Sequence, residues 1–343
     1  MERPILAITM GDPAGCGPEI SVKALSDKKV YENSRPLLIG DAKVMEKALR
    51  LTGMEGKMQI HPVKSVEAAE FQPGILDVYH MELVDMEKLV YGKVSAMCGN
   101  AAFQSVKKAI ELAMEHEVDA TVTNALNKEA INLAGHHFSG HTEIYAHYTN
   151  TAKYTMMLAH KELRVVHVST HVSLRDACDA VKKERVLDVI RIAAQACRTL
   201  GIKNPKIGVA GLNPHCGENG MFGREDIEEI EPAVQEARRE GILAEGPVAP
   251  DTVFSKACGG WYDIVVVMYH DQGHIPLKVL GFVYNKEKQE WNAVEGVNVT
   301  LGLPIIRTSV DHGTAFGHAG KGNANALSLI NAIEYAIAMA SHQ

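Results

Sequence analysis

Nothing in this chain is long and apolar enough to be a membrane span, for no stretch approaches the roughly 20 consecutive apolar residues a bilayer requires. The short apolar run behind Glu2 and Arg3 falls below the length of a secretory signal core. Cysteine is sparse and scattered: Cys16, Cys98, Cys178, Cys197, Cys216 and Cys258 form no CxxC pair and no zinc-finger spacing. That excludes a zinc ribbon and a disulfide scaffold, and free thiols in a cytoplasmic protein are the expectation. Basic residues do not predominate. With 35 Lys and Arg against 42 Asp and Glu, the net charge is −7, which argues against non-specific binding to nucleic acid. The dinucleotide fingerprint GxGxxG and the phosphate loop GxxxxGK[ST] are both missing. So are internal repeats and low-complexity tracts. Aromatic residues are few, with two Trp and seven Phe, against sixteen His.

What remains is an ordinary globular composition, 46% hydrophobic and 22% charged, on a chain of 343 residues, enough for about two domains. Short aliphatic and β-branched runs at 4–10, 36–39, 120–123, 165–169, 206–210, 264–268 and 305–309 predict strands. Between them lie amphipathic stretches at 100–117, 182–200 and 324–340, which predict helices. Alternation of the two implies an α/β fold with a largely parallel sheet covered by helices, whose ligands gather beyond the carboxyl ends of the strands.

Several groups could carry chemistry. MGDPAGCGPE at 10–19 follows a strand and precedes a helix, with three glycines freeing the backbone and Pro18 suited to a first helical turn. As a bare turn it needs no ligand. In SGHTE at 139–143, Ser139 or Thr142 could cap a helix beginning near Glu143 and leave free amides beside His141 as an anion site; a cap beside an incidental histidine reads equally well. His171, His215 and His270 each close an apolar strand, and imidazoles at strand ends could converge on one divalent metal. Their separations of 44 and 55 residues contain no short HxxxH element, so spacing alone does not decide. Asp251 and Asp271 could act as a base or orient a ligand, and Asp is also a common turn residue. Lys278, Asn298 and Arg307, near the glycine-bounded stretch 296–302, suit a phosphate or carboxylate, although each alone reads as surface charge.

Taken together, MGDPAGCGPE, SGHTE, STHVSL, GLNPHCGENG, APDT, YHDQGHIPLK and GVNVTLGLPIIRTSVDHGTAFGHAGKG resemble the PdxA family in order and separation, over essentially the whole chain. The resemblance implies a homodimer of two-lobed α/β/α subunits related in fold to isocitrate and isopropylmalate dehydrogenases. Its active site would lie in the interlobe cleft at the dimer interface. One lobe would comprise 1–127 plus 304–343, and the other 128–303. It implies NAD or NADP and a divalent metal (Zn, Mg, Co or Mn) held by His171, His215 and His270 from both subunits. His141, Thr142, Lys278, Asn298 and Arg307 match substrate-binding positions, and Asp251 and Lys278 are the implied catalytic pair. The implied reaction is oxidation at C3 and decarboxylation of a 4-phosphorylated 3-hydroxy acid. The implied partners are that small molecule and a second subunit, with neither nucleic acid nor membrane.

One departure narrows the substrate. Thirteen residues, 283–295, stand where the vitamin B6 branch of the family has a very short link, and they read as an exposed hairpin or flap between Lys278 and Asn298. With the STHVSL and YTMMLA wording, this resembles the branch acting on D-threonate or D-erythronate 4-phosphate. The alternative is 4-hydroxy-L-threonine 4-phosphate, as in pyridoxal phosphate biosynthesis. A metal-dependent hydrolase and a phosphosugar-binding module are remoter readings.

Overall fold

The structure, a computed structural model, describes residues 2–281, 284–286, 290–291 and 296–342. The chain divides into two compact units. One comprises Met1–Thr151, Ala293–Val297 and Leu303–Ser341; the other comprises Ala152–Asn292, Asn298–Gly302 and His342–Gln343.

The first unit opens with β1 (Ile5–Thr9), α1 (Gly17–Ala24), α2 (Lys28–Asn33), β2 (Arg35–Gly40), α3 (Ala42–Leu51), β3 (Gln59–Val63) and β4 (Ile75–His80). It continues through α4 (Ala96–Met114), β5 (Ala120–Thr123), α5 (Lys128–Leu133) and α6 (His141–Tyr148). The second unit contains β6 (Thr155–His160), β7 (Leu163–His167), α7 (Leu174–Ala180), α8 (Lys183–Thr199), β8 (Lys206–Ala210) and α9 (Glu231–Arg239). After these come β9 (Leu243–Val248), α10 (Val253–Cys258), β10 (Ile264–Val267), α11 (His270–Gly281), β11 (Tyr284–Asn285), β12 (Glu290–Trp291) and β13 (Val297–Leu301). The chain then returns to the first unit with β14 (Ile306–Val310) and α12 (Leu327–Ala340).

Strands of the first unit run in the order β3-β4-β2-β1-β5-β14 and every pairing is parallel. Such a sheet is covered on both faces, and its central strands are accordingly buried: Leu6, Ala7 and Ile8 of β1 are fully buried. Below them packs the apolar stripe of α4, with Phe103, Val106, Ile110 and Ala113, in one core with Leu37, Ile39 and Tyr145. Ser95 begins α4 by accepting the Cys98 N–H at its side-chain oxygen. The strand order in the second unit is β13-β6-β7-β10-β8-β9. Its pairings are parallel among β7, β10, β8 and β9, while β6 and β7 form an antiparallel hairpin, a departure from the parallel pattern expected.

The first unit extends to Thr151, further than the boundary at 127 read from the sequence. The reason is local packing: a Cβ at Gly99 of α4 would stand 2.0 Å from the carbonyl oxygen of Ala130, so α5 lies directly on α4 and carries α6 with it. Of the 283–295 segment, the described residues form a two-residue antiparallel ladder, Tyr284 opposite Trp291. The rest of that segment lies outside the described residues.

Candidate active site

In the first unit the expected anion-binding residues stand on three adjoining elements. The helix of the SGHTE motif begins at His141 with Gly140 before it, and no side chain caps it. The cap predicted at Ser139 or Thr142 is therefore not made. Thr142 lies inside the first turn. His141 Nε2 is buried without a hydrogen-bond partner, and burial first, then the Arg307 charge, holds its pKa well below the ordinary histidine value. Arg307, on β14, is 3% exposed. Its Nη2 donates to Thr123 Oγ1 at 2.8 Å on neighbouring β5, and its guanidinium faces the Tyr145 ring at 5.7 Å. Burial pushes the guanidinium pKa down to about 10, against the opposing pull of Tyr145 and Glu143. A buried cation beside an orphaned imidazole nitrogen and a helix N-terminus favours an anionic group such as phosphate or carboxylate.

The structure also joins the two glycine-rich blocks of this unit. Pro18 occupies the first turn of α1 as expected. From the next position Glu19 accepts the N–H groups of Gly320 and Gly322 at 2.6 and 2.7 Å. Lys23 Nζ donates to the carbonyls of Gly322 and Ala324, both at 2.7 Å, and Cys16 N–H bonds Thr314 O. The loop after β14 is thus fastened to the loop and helix after β1.

In the second unit, His171 and His270 come together: their ring centroids are 5.7 Å apart. They line a cleft of about 290 Å³ with Thr170, Val172, Tyr269 and Asp271. Asp271 Oδ1 lies 2.7 Å from His270 Nδ1, which fixes the ring and leaves Nε2 as the ligating atom. His274, one turn along α11, stacks on His270 at 3.6 Å, and its Nδ1 is 2.9 Å from the His270 carbonyl. That stack was not anticipated; the i, i+4 spacing on a helix is its only trace in the sequence. His167, in contrast, is a core histidine. It is fully buried in β7, its Nδ1 bonds the Met156 carbonyl, and burial holds its pKa down to about 3.

His215 sits on the loop after β8, exposed to solvent, and does not join the His171–His270 pair. Among the described residues, no set of three or more His, Cys, Asp or Glu side chains within one chain is arranged to hold a metal. The two paired imidazoles do suit a cation such as Zn²⁺ or Co²⁺ chemically, since the His270–Asp271 bond orients one of them as metal-binding histidines require. The backbone at His215 is distinctive: His215, Cys216, Gly217, Glu218 and Asn219 all lie in the left-handed region. Each non-glycine residue there costs about 1–2 kcal/mol, and such strain concentrates at functional sites. Asp251 is exposed nearby; after burial and the charge of Asp226, its own charge helps push the Cys216 thiol up to about 11. Lys278 follows His270 and His274 at the same four-residue interval on α11, so the three share a helix face. Asn298, on β13, points its Nδ2 at Met156 Sδ, 2.9 Å away.

Residues 32–336 match the family described as pyridoxal phosphate biosynthetic protein PdxA. D-threonate 4-phosphate dehydrogenase of Salmonella typhimurium is 46% identical over 340 residues, covering 99% of this chain and 100% of that one. Among solved structures, 4-hydroxythreonine-4-phosphate dehydrogenase from Klebsiella pneumoniae superposes with a TM-score of 0.86 at 42% identity, covering 98% of each chain. A terephthalate 1,2-cis-dihydrodiol dehydrogenase from Burkholderia xenovorans is more distant, with a TM-score of 0.69 at 30% identity and 98% of each chain covered. A family match over residues 32–336, with relatives above 40% identical along nearly the whole chain, makes the protein a member of the PdxA family and an oxidoreductase of the dehydrogenase type.

Proposed function

We propose that this chain oxidises C3 of a 4-phosphorylated 3-hydroxy acid, with NAD or NADP as acceptor, and releases the carboxyl group as CO2. D-threonate 4-phosphate is the favoured substrate and D-erythronate 4-phosphate a close variant. The observation that carries this reading is the whole-length similarity to a D-threonate 4-phosphate dehydrogenase. A second reading, 4-hydroxy-L-threonine 4-phosphate, is favoured by the equally complete match to the Klebsiella pneumoniae enzyme.

In this reading Arg307 and His141 hold one anionic end of the substrate, with the first-turn amides of α6 and Thr142. Lys278 and Asn298 hold the other polar groups, which fixes C3 in one orientation. Lys278 and Asp251 are the candidates for moving the hydroxyl proton. His171, His215 and His270 hold a divalent cation. When bound, that cation would supply Lewis acidity at the C3 oxygen and the nicotinamide would supply hydride acceptance. Because one chain pairs only His171 with His270, the third imidazole is assigned to a second copy of the chain. Ile275 and Val279, 59% and 71% exposed on α11, offer apolar surface for such a dimer.

The test is formation of reduced nicotinamide with D-threonate 4-phosphate, D-erythronate 4-phosphate and 4-hydroxy-L-threonine 4-phosphate in turn. The expected result is the highest kcat/KM with D-threonate 4-phosphate, lost on chelation and restored by a divalent metal. Phosphate release without nicotinamide reduction would point to hydrolysis, and no turnover of any of the three would overturn the reading.

A further inference from the structure

We infer that Asp226, together with Gln272, is a positioning residue for His215. The inference rests on the proposed metal-binding role of that histidine.

The left-handed turn at 215–219 is unfavourable for L-residues, so its own backbone does not account for its persistence. Something outside the turn must hold it, and the bonds around it identify what does. The carboxylate of Asp226 is fully buried. Its Oδ1 accepts the Leu212 N–H at 2.9 Å; its Oδ2 accepts the Asn213 N–H at 3.1 Å and the Asn213 Nδ2 at 2.9 Å. Asn213 O in turn accepts the Cys216 N–H at 3.1 Å, and the Phe222 N–H closes on Gly217 O at 3.0 Å. One carboxylate therefore fixes Leu212 and Asn213 as they enter the turn, and His215 follows two residues after Asn213. Gly211 is required for this approach, since a Cβ there would stand 2.7 Å from Asp226 Oδ1 and 2.9 Å from Cys216 Sγ.

Gln272 completes the arrangement from the other side. From α11 its Nε2 donates to Gly211 O at 2.7 Å, and its Oε1 accepts the Met268 N–H at 2.6 Å. Gly211 follows β8 and leads to His215; Met268 follows β10 and leads to His270. A single buried amide thus couples the two strand ends that carry candidate ligands. Groups that orient a ligand in this way commonly govern metal affinity by about 10–100-fold.

The experiment is Co²⁺ titration of the full-length protein, followed by the visible absorption of the bound ion, for the parent, Asp226→Asn, His215→Ala and the double variant. An amide at 226 cannot accept three N–H groups and presents a donor to them. The expected result is a loss of Co²⁺ affinity of about tenfold or more in Asp226→Asn, and no further loss when it is added to His215→Ala. Parent-like affinity in Asp226→Asn, with affinity lost in His215→Ala, overturns the positioning role and leaves the metal reading standing. An equal loss from Asp226→Asn in both backgrounds also overturns it, because the effect would then not pass through His215. Parent-like affinity in His215→Ala overturns the metal reading itself and the inference with it. If Asp226→Asn does not fold, Gln272→Ala carries the same test: weakened Co²⁺ binding supports the coupling and parent-like binding contradicts it.

Discussion

At the scale of single residues, Asp12 shows how burial is converted into a pH dependence. The carboxyl is fully buried; Oδ1 accepts the Ala14 N–H at 2.8 Å, and Oδ2 has no hydrogen-bond partner. Burial pushes its pKa up to about 6 from 3.8, against the lowering effect of the Ala14 amide. The folded chain therefore holds this proton more tightly than the unfolded chain, and the contribution to stability falls as pH rises from about 4 to about 6. Asp12→Asn keeps the shape and removes the titration. Relative to the parent, its unfolding free energy should rise by roughly 3 kcal/mol between about pH 4 and 7, measured by urea denaturation at each pH. Parallel pH curves for the two proteins would contradict this. The histidines illustrate what a sequence reveals at this scale. His171 and His270 were legible because each ends a β-branched run, and strand ends gather at one edge. Asp226 was not legible: it is one acid among several in GREDIEEIE, and only burial and three accepted N–H groups distinguish it.

Among the elements, α1 has a second task beyond covering the sheet. Glu19, 1% exposed, accepts two glycine amides of the loop after β14. Replacing it with glutamine leaves a single acceptor and turns an N–H donor toward a donor, at a cost of about 2–3 kcal/mol. Glu19→Gln should lower the unfolding free energy by that amount and speed hydrogen exchange of the Gly320 and Gly322 amides above all others. Uniform exchange changes across the chain would mean that the contact does not hold the loop locally. The strands divide along similar physical lines. Runs such as IVVV in β10 were read correctly because burial on both faces leaves no polar position to break them. β3, β4, β6, β9 and β13 were missed. Of these, β3 and β9 are edge strands that contain proline, Pro62 and Pro247, which an edge tolerates and which reads as a loop in sequence. The cap expected at Ser139 or Thr142 failed for a related reason: Gly140 takes that position, and glycine carries no side chain that could reveal it.

For the whole molecule, family membership was legible in the motifs, while the homodimer came only as what the resemblance implies and remains a proposal, since a surface is recognised only once folded. Val279 lies 71% exposed on α11, one residue from Lys278. On the proposed dimer through this face, Val279→Glu should give a monomer in light scattering and reduce turnover about tenfold or more with an unchanged far-UV CD spectrum, since a desolvated charge disfavours association. A dimer that survives the substitution would move the interface elsewhere. The account as a whole turns on whether three imidazoles share one ion. Anomalous diffraction from crystals grown with Co²⁺ or Zn²⁺ tests that most directly. The account predicts one peak within about 2.0–2.3 Å of nitrogen atoms of His171, His215 and His270, with both protomers contributing. A peak bonded to other residues, or rings that never share an ion in any pair of protomers, would contradict it.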